Sequence, residues 1–153
     1  MSRYKSEQTA YNSLKKEYVP LWRLDTNTLT VTHFNTDTQI EESKTYHTDF
    51  IRYNLHFSDS HCPDRLRRLV NQGKIVEYLD DMEQKVSDAI SRQVELWKKT
   101  DNYYQTALLA GDKKEITGLE NCFENMAREI IFENMIYILS LIHISEPTRH
   151  SLI

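Results

Sequence analysis

Residues 74–99 read KIVEYLDDMEQKVSDAISRQVELWKK, and this stretch decides the fold. Its apolar side chains recur every three or four positions, which predicts one long helix with a single apolar stripe. Acidic residues gather near its start and basic residues near its end, as the helix dipole favours. The stripe is formed by Ile75, Leu79, Met82, Val86, Ala89 or Ile90, Gln93 and Trp97.

A second long helix is predicted after Gly111, which is the expected break in the chain. Asp112 and Glu115 have the spacing of a capping box at its start. Its apolar positions then follow a near-heptad as far as Tyr137. Residues 101–110 either extend the first helix or form a separate turn of helix. Two striped helices with a short connection are expected to pack as an antiparallel hairpin.

The N-terminal part has a different pattern of residue types from these helices. Between Ser6 and Tyr18, apolar residues at helical spacing predict a helix that Ser6 caps and that ends before Pro20. From Leu21 to His47, threonines and aromatic residues alternate between Asx-rich turns, which predicts a two- or three-stranded antiparallel meander. A sheet this small needs helices against one face. The expected fold is therefore α+β and mostly helical, with a small antiparallel β meander packed on a long antiparallel helical hairpin.

The segment after the meander is less regular. Thr48 or Asp49 caps a short helix through Leu55, or else the strand continues. Residues 58–61 are polar and are predicted to form a loop.

The chain is expected to form one domain over residues 1–138, with a β-containing part at 1–57 and a helical part at 63–138. Residues 139–153, LSLIHISEPTRHSLI, resemble the translation of a sequencing adaptor. We therefore expect them to be a non-native tail, to be set aside before fold or site reasoning.

Composition narrows the classes of function. The formal net charge of −4 is the same without the tail, because Glu146 and Arg149 cancel. A net-acidic chain is not expected to bind DNA non-specifically or to bind anionic membranes. A mean hydropathy of −0.64, with no apolar run long enough for a membrane span and no signal-peptide pattern, predicts a cytoplasmic protein without a membrane partner. Cys62 and Cys122 lie far apart, which favours reduced thiols.

A basic cluster is the main candidate binding site. Pro63 suits the first position of a short helix over residues 64–71, and Gly73 suits its C′ position. Guanidinium groups on such a helix are able to bind phosphates or guanine edges. Alternatively, they pair with acids at the start of the next helix: Glu77, Asp80 and Asp81. The candidate phosphate or DNA contacts are Arg65, Arg67, Arg68 and Lys74.

No motif predicts catalysis or a cofactor. The chain has no Gly-rich phosphate loop, nucleophile elbow or CxxC pair. His56, His61 and Cys62 form the one local group with metal-ligand chemistry, for which Cys122 is a conceivable fourth ligand. A polar loop with a buried cysteine explains this group without a metal, so the prediction is no metal, no cofactor and no enzyme.

The end of the second long helix is a candidate interface. FENM occurs at residues 123–126 and again at 132–135, and neighbouring isoleucines make the last turns apolar on nearly all sides. Such an end is usually covered by another part of the chain or by another subunit. The candidate interface residues are Ile131, Phe132, Met135 and Ile136.

Two segments resemble a known family. Residues 73–84, GKIVEYLDDMEQ, resemble the GKL…YL…ID-E-Q segment of transposon-encoded TnpV-type proteins. Residues 127–137, AREIIFENMIY, resemble their closing A-x-E-I-V…I-I-Y. The resemblance covers residues 64–138 and departs from the family at residues 118–123, where the family has WV-x-x-MN-x-I, and in the N-terminal β segment.

The resemblance implies a small, non-enzymatic accessory protein of a bacterial mobile genetic element, with no catalytic residues to transfer. Such a protein is expected to act by binding DNA or a recombination protein of the same element. The alternative hypothesis is a helical protein-interaction module that forms a homo-oligomer and does not bind nucleic acid.

Overall fold

A computed structural model describes the backbone of residues 3–151 and the side chains of residues 3–135. The chain is a mostly helical α+β protein, as the sequence predicts, and its strands pair antiparallel. Its contacts divide it into two compact units, with the boundary between Met82 and Glu83. Residues 3–82 belong to the first unit, and the second unit is Glu83–Ser140.

The first unit contains a four-stranded sheet of order β1-β4-β5-β6. Its strands are β1 (Arg3–Lys5), β4 (Trp22–Asp25), β5 (Thr30–Asn35) and β6 (Ile40–Thr45). The last three form the predicted meander, in which Leu24, Val31 and Phe34 are buried.

A second, two-stranded sheet corrects the prediction of a helix between Ser6 and Tyr18. Strands β2 (Thr9–Asn12) and β3 (Glu17–Pro20) form a hairpin there. Asn12 favours the turn over a helix because its Oδ1 accepts hydrogen bonds from the backbone N–H groups of Leu14 (3.0 Å) and Lys15 (3.2 Å). Ser6 caps no helix; it is buried, and its hydroxyl donates to the carbonyl of Gln8 (2.8 Å).

The same turn occurs three times in the first unit. Each begins with an Asn or Asp whose side chain accepts bonds from the N–H groups two and three residues later. Each ends four residues after that side chain with a non-glycine residue at positive φ. The pairs are Asn12 with Lys16 (φ 57°), Asp25 with Leu29 (φ 56°) and Asn35 with Gln39 (φ 59°).

Helix α1 (Asp49–His61) is longer than predicted. Thr48 is its N-cap, and the Oγ1 of Thr48 accepts from the backbone N–H of Ile51. The expected loop at 58–61 is wrong because Ser58 is buried on the core face of the helix, and its carbonyl accepts from the Cys62 N–H (2.8 Å). Helix α2 (Pro63–Asn71) follows at once.

Gly73 ends α2 as predicted. Its φ of 68° is left-handed, and Lys74 N–H donates to the Leu69 carbonyl (2.9 Å) in the Schellman pattern. The backbone also passes close to Trp22, since a Cβ at Gly73 would lie 2.7 Å from Nε1 of that indole. Glycine is therefore required here for two reasons, conformation and space.

The core of the first unit lies between the four-stranded sheet, α1, α2 and the first turns of α3 (Ile75–Thr100). The helices that cover the sheet are thus two short ones and the beginning of a long one. The buried cluster is formed by Tyr4, Leu24, Leu29, Val31, Tyr46, Ile51, Leu55, Leu66, Val70, Ile75 and Leu79.

The second unit is built from the rest of α3, from α4 (Asn102–Ala110) and from the part of α5 (Lys113–Ser151) that ends at Ser140. Helix α4 is separate from α3 because Asp101 caps it, accepting from the Tyr104 N–H (2.8 Å). Gly111 (φ 67°) ends α4, and Asp112 accepts from the Glu115 N–H (3.2 Å), as the capping-box spacing predicts. The side chains of residues 139–153, the expected adaptor tail, lie outside the described residues.

Aromatic and polar contacts join these helices. The Phe123 ring lies 5.8 Å from the rings of both Trp97 and Tyr104, centroid to centroid. Glu120 accepts from the Tyr104 hydroxyl (2.9 Å) and pairs with Lys98 (3.2 Å). The hydrogen bond from Tyr104, followed by that from Lys98, lowers the pKa of Glu120.

Candidate functional site

The four predicted basic residues lie on and just after α2, but they do not form one open surface. The Arg65 guanidinium turns inward, where Nη2 donates to the Tyr78 hydroxyl (2.8 Å) and the group lies over the Tyr78 ring, 5.1 Å from its centroid. Arg67 pairs with Asp64 on the same helix. Arg68 and Lys74 are exposed. Two of the four predicted phosphate contacts therefore have protein partners already.

One of the three acids expected to neutralise this cluster, Asp80, has other partners. Asp80 binds the Lys44 ammonium group (2.6 Å) and the Tyr46 hydroxyl (2.8 Å), both from the end of the sheet. Partial burial acts to raise the pKa of Asp80, but these two hydrogen bonds outweigh it and hold the pKa below its ordinary value. Asp80 thus ties α3 to the sheet, a contact that sequence spacing alone did not reveal.

A buried polar cluster lies beside Arg65; we call it the Arg65 cluster, and its members are Asn54, Ser58, Arg65 and Tyr78. Asn54 is fully buried, and its Oδ1 accepts from the Tyr78 hydroxyl (3.2 Å) and the Ser58 hydroxyl (3.4 Å). Two donors, Nδ2 of Asn54 and Nη1 of Arg65, are buried without a hydrogen-bond partner. Sequence analysis missed this cluster because its residues come from three helices.

A second polar pair connects β1 to α1. The Tyr4 hydroxyl donates to Oδ1 of Asp59. Burial, followed by this bond to a carboxylate, raises the pKa of Tyr4 far above its ordinary value. The phenol therefore stays protonated and serves to join the edge strand to the helix.

The group with metal-ligand chemistry is dispersed. His56 uses its Nε2 to bond the Thr26 carbonyl (3.0 Å), and the His61 ring lies against Phe57 with centroids 4.6 Å apart. Cys62 is buried in the first unit, whereas Cys122 is exposed on α5 in the second. Within the described residues, no three His, Cys, Asp or Glu side chains lie together as a metal site.

The predicted interface on α5 is only partly described. Ile131 and Phe132 are half-buried, and Met135 is buried. The side chain of Ile136 lies outside the described residues. The exposed apolar side chains nearest to them on this helix are Met126 and Ile130, which are 45% and 40% exposed.

The β2–β3 hairpin carries an apolar surface that the sequence analysis missed; we call it the hairpin surface. The Tyr11 and Tyr18 rings meet edge to face across the strands, 5.3 Å apart. The Gln39 side chain ties this hairpin to the start of β6, since it accepts from Ser13 N–H (2.9 Å) and donates to the Tyr11 carbonyl (3.3 Å). The members and their exposed fractions are Tyr11 47%, Leu14 84%, Tyr18 72% and Ile40 58%.

A signal for this surface was present in the sequence. NSLKK at 12–16 has the Asx-initiated layout of DTNTL at 25–29 and NTDTQ at 35–39, both of which lie in the predicted meander. Treating the three alike predicts a third hairpin, and the apolar residues around its turn would then be exposed.

No helix in the described part of the chain is long and apolar enough to cross a membrane. Comparison with known proteins gave no relatives: no family model, curated protein or solved structure matches this chain.

Proposed function

We propose that this chain is a non-enzymatic accessory protein of a bacterial mobile genetic element and that it acts by binding another protein through the hairpin surface. The observation that carries the proposal is the exposure of Tyr11, Leu14 and Tyr18 on the β2–β3 hairpin and of Ile40, which follows the Gln39 that bonds this hairpin. Exposed apolar side chains that cluster on a surface are typical of protein interaction sites. The resemblance of residues 64–138 to TnpV-type proteins supports the mobile-element part.

The basic residues favour a protein partner over DNA. Arg65 is turned inward onto Tyr78, and Arg67 pairs with Asp64 on the same helix, so part of the hydrogen-bonding capacity of each guanidinium is already used. Arg68 and Lys74 remain exposed, and two cations supply little of the counterion release on which DNA affinity depends.

The backbone of β3 indicates what kind of segment would bind. Tyr18 lies directly opposite Tyr11, whose carbonyl points away from β3 towards Gln39. In an antiparallel pair of strands, two residues directly opposite each other either both point their N–H and C=O groups towards the partner strand or both point them away from it. The N–H and carbonyl of Tyr18 therefore point away from β2, and β3 pairs with no other strand in the described part. The proposed occupant is an extended segment of a recombination protein, with an apolar side chain that packs beside Tyr18.

The test is a titration of the purified full chain with the recombinase encoded beside it, in which calorimetry measures the affinity. Leu14→Asp and Tyr18→Asp should each weaken binding at least about tenfold, because a charge would enter an apolar contact. Leu109→Asp is the matched control, since Leu109 is 91% exposed on α4 in the other unit. Equal affinity for all three variants, or no complex with the wild-type chain, would contradict the proposal.

A gel-shift titration at low salt with the element's end sequences tests the DNA alternative. A complex that is lost when Arg67, Arg68 and Lys74 become alanine, but is kept by Leu14→Asp, would replace protein binding with DNA binding.

A further inference from the structure

Strand β6 is an edge of the four-stranded sheet. It pairs with β5 on one side, and in the described part of the chain no strand lies on its other side. The pairing with β5 runs over six consecutive residues without a bulge, and five of the six are exposed. The strand contains no proline. Natural sheet edges are usually protected from pairing with other chains by bulges, prolines, charges or a covering segment.

The backbone of β6 points outward at every second residue. The Phe34 N–H donates to the carbonyl of Leu21, on the β4 side of the sheet (2.9 Å). Glu41 lies directly opposite Phe34, so the N–H and carbonyl of Glu41 point away from β5. The same holds for Ser43 and Thr45, because the direction alternates along a strand. We call the outward backbone groups of these three residues the β6 edge.

The charges on β6 protect this edge weakly, because two of the three are paired within the chain. Glu41 forms ion pairs with Lys15 (3.3 Å) and Arg23 (3.1 Å). Lys44 forms an ion pair with Asp80 (2.6 Å). The approach of another strand would therefore not leave these charges without a counter-charge.

We infer that the β6 edge pairs with the β6 edge of a second copy of this chain, antiparallel and about a two-fold axis at Ser43. In this register Ser43 faces its own copy, and Glu41 faces Thr45 of the other copy. Each facing pair exchanges two backbone hydrogen bonds, as in any antiparallel ladder. The two sheets become one continuous sheet, and the symmetric pairing is closed because it uses both β6 edges.

The charges select this register over its neighbours. Registers that keep at least two facing pairs place the axis at Glu42, Ser43 or Lys44. An axis at Glu42 brings two carboxylates opposite each other, and an axis at Lys44 brings two ammonium groups together, both of which are unfavourable. An axis at Ser43 instead places Glu42 of each copy opposite Lys44 of the other. Lys44 then lies between Asp80 of its own chain and Glu42 of the second copy.

Sedimentation velocity of the full chain, from low to high micromolar concentration, tests the inference. The wild-type chain should show a monomer–dimer equilibrium. Ser43→Pro should weaken the dimer at least about tenfold, because it removes the N–H at the axis from both strands. The substitution leaves the pairing with β5 in place, since proline is tolerated where an edge N–H points outward.

Glu42→Lys is the second variant, and it keeps the backbone of β6 intact if Ser43→Pro does not fold. It places two ammonium groups opposite each other at both symmetric positions, so it should weaken the dimer at least about tenfold. The effect should be smaller at high salt. Glu129→Lys makes the same charge change at an exposed position on α5 and should leave the dimer unchanged. A dimer weakened by Glu129→Lys but not by Glu42→Lys would place the interface on α5 and overturn the inference.

A disulfide cross-link tests the position of the axis. Two residues that face each other in a hydrogen-bonded pair have Cα atoms about 5.5 Å apart, which a disulfide spans. Ser43→Cys should therefore form a covalent dimer on mild oxidation, in a Cys122→Ser background because Cys122 is exposed. Ser91→Cys in the same background is the control, since Ser91 is exposed on α3 in the second unit and should not cross-link.

The inference does not depend on the hairpin surface. Tyr18→Asp changes that surface and should dimerise as the wild-type chain does, so the failure of either proposal leaves the other standing. The inference is overturned if the wild-type chain stays monomeric at high micromolar concentration. A dimer that survives both Ser43→Pro and Glu42→Lys, or the absence of a cross-link at position 43, would overturn it as well.

Discussion

The two units are stabilised in different ways. In the first unit, strands and helices that are far apart in the sequence share one buried apolar cluster, from Tyr4 to Leu79. In the second unit, the described buried hydrophobic residues are all on helices: Tyr104, Ala107, Phe123, Ala127 and Met135. Packing of side chains that are far apart in the sequence therefore stabilises the first unit. In the second unit, helix caps, helix-ending glycines and side-chain contacts between neighbouring helices contribute more of the stability. The first unit should be the more sensitive to core mutations.

Leu55→Ala should have the largest effect on stability. Leu55 is fully buried on α1 in the cluster beneath the sheet, and its truncation should cost about 3 kcal/mol in the free energy of unfolding. Leu109→Ala removes the same atoms from an exposed position in the second unit, and its effect should be within about 0.5 kcal/mol of zero. Urea unfolding followed by circular dichroism measures both. Equal losses would refute the difference between the units.

Gly73→Ala and Gly111→Ala sharpen the comparison, because both glycines end a helix in the same Schellman geometry at nearly the same φ. At Gly111 nothing lies within 4 Å of an added Cβ, so the cost should be the left-handed backbone alone, about 1 kcal/mol. At Gly73 the Cβ would also meet Trp22, which should add about 1–3 kcal/mol of overpacking.

The Trp22 fluorescence offers a local probe of this clash. In a Trp97→Phe background, in which Trp22 is the one remaining tryptophan, the emission should change in Gly73→Ala and stay the same in Gly111→Ala. If the two substitutions reduce the midpoint equally, the close approach of the backbone to the indole is not a constraint.

Local signals explain which parts of the fold the sequence predicted. Both helix-ending glycines, the Asp112 cap and the long α3 stripe were identified because each acts within a few residues. The helix predicted between Ser6 and Tyr18 is wrong because the apolar residues have helical spacing but the Asx turn at Asn12 reverses the chain between them. The sequence predicts a loop at Ser58 because its polar neighbours are visible there, whereas its burial depends on tertiary packing.

The candidate site was less predictable than the fold. The composition of residues 64–74 identifies the basic residues of α2. It does not show that the Arg65 side chain turns inward, because that depends on Tyr78, thirteen residues later. Asp80 was expected to neutralise the arginines, and instead it contacts Lys44 at a separation of thirty-six residues. Sequence spacing on one helix does not report such partners, because they are fixed by tertiary packing.

Lys16→Gly and Gln39→Gly compare two turns within the first unit. Both residues have left-handed φ, so glycine should relieve a strain of about 1 kcal/mol at each. The Lys16 side chain is exposed, and its replacement should give a small net gain of stability. Gln39→Gly also removes the bonds to Ser13 and Tyr11, so its gain should disappear or become a loss. A gain for Gln39→Gly as large as for Lys16→Gly would show that the bridge between the hairpins contributes nothing.

The smallest effect should come from Glu120 in the second unit, through pH. The bond from Tyr104, then that from Lys98, lowers the pKa of Glu120 in the folded chain, while slight burial opposes them. A carboxyl group with a lowered folded-state pKa stabilises the fold above its unfolded pKa of about 4.3, and this stability is lost as pH falls through the folded value. Urea midpoints should therefore fall less between about pH 5 and pH 3 for Glu120→Gln than for the wild type. Glu124→Gln is the control, because it removes an exposed carboxylate that pairs with Arg128, four residues later on α5. If the two variants have the same pH profile, the contact between α4 and α5 at Tyr104 does not stabilise the second unit.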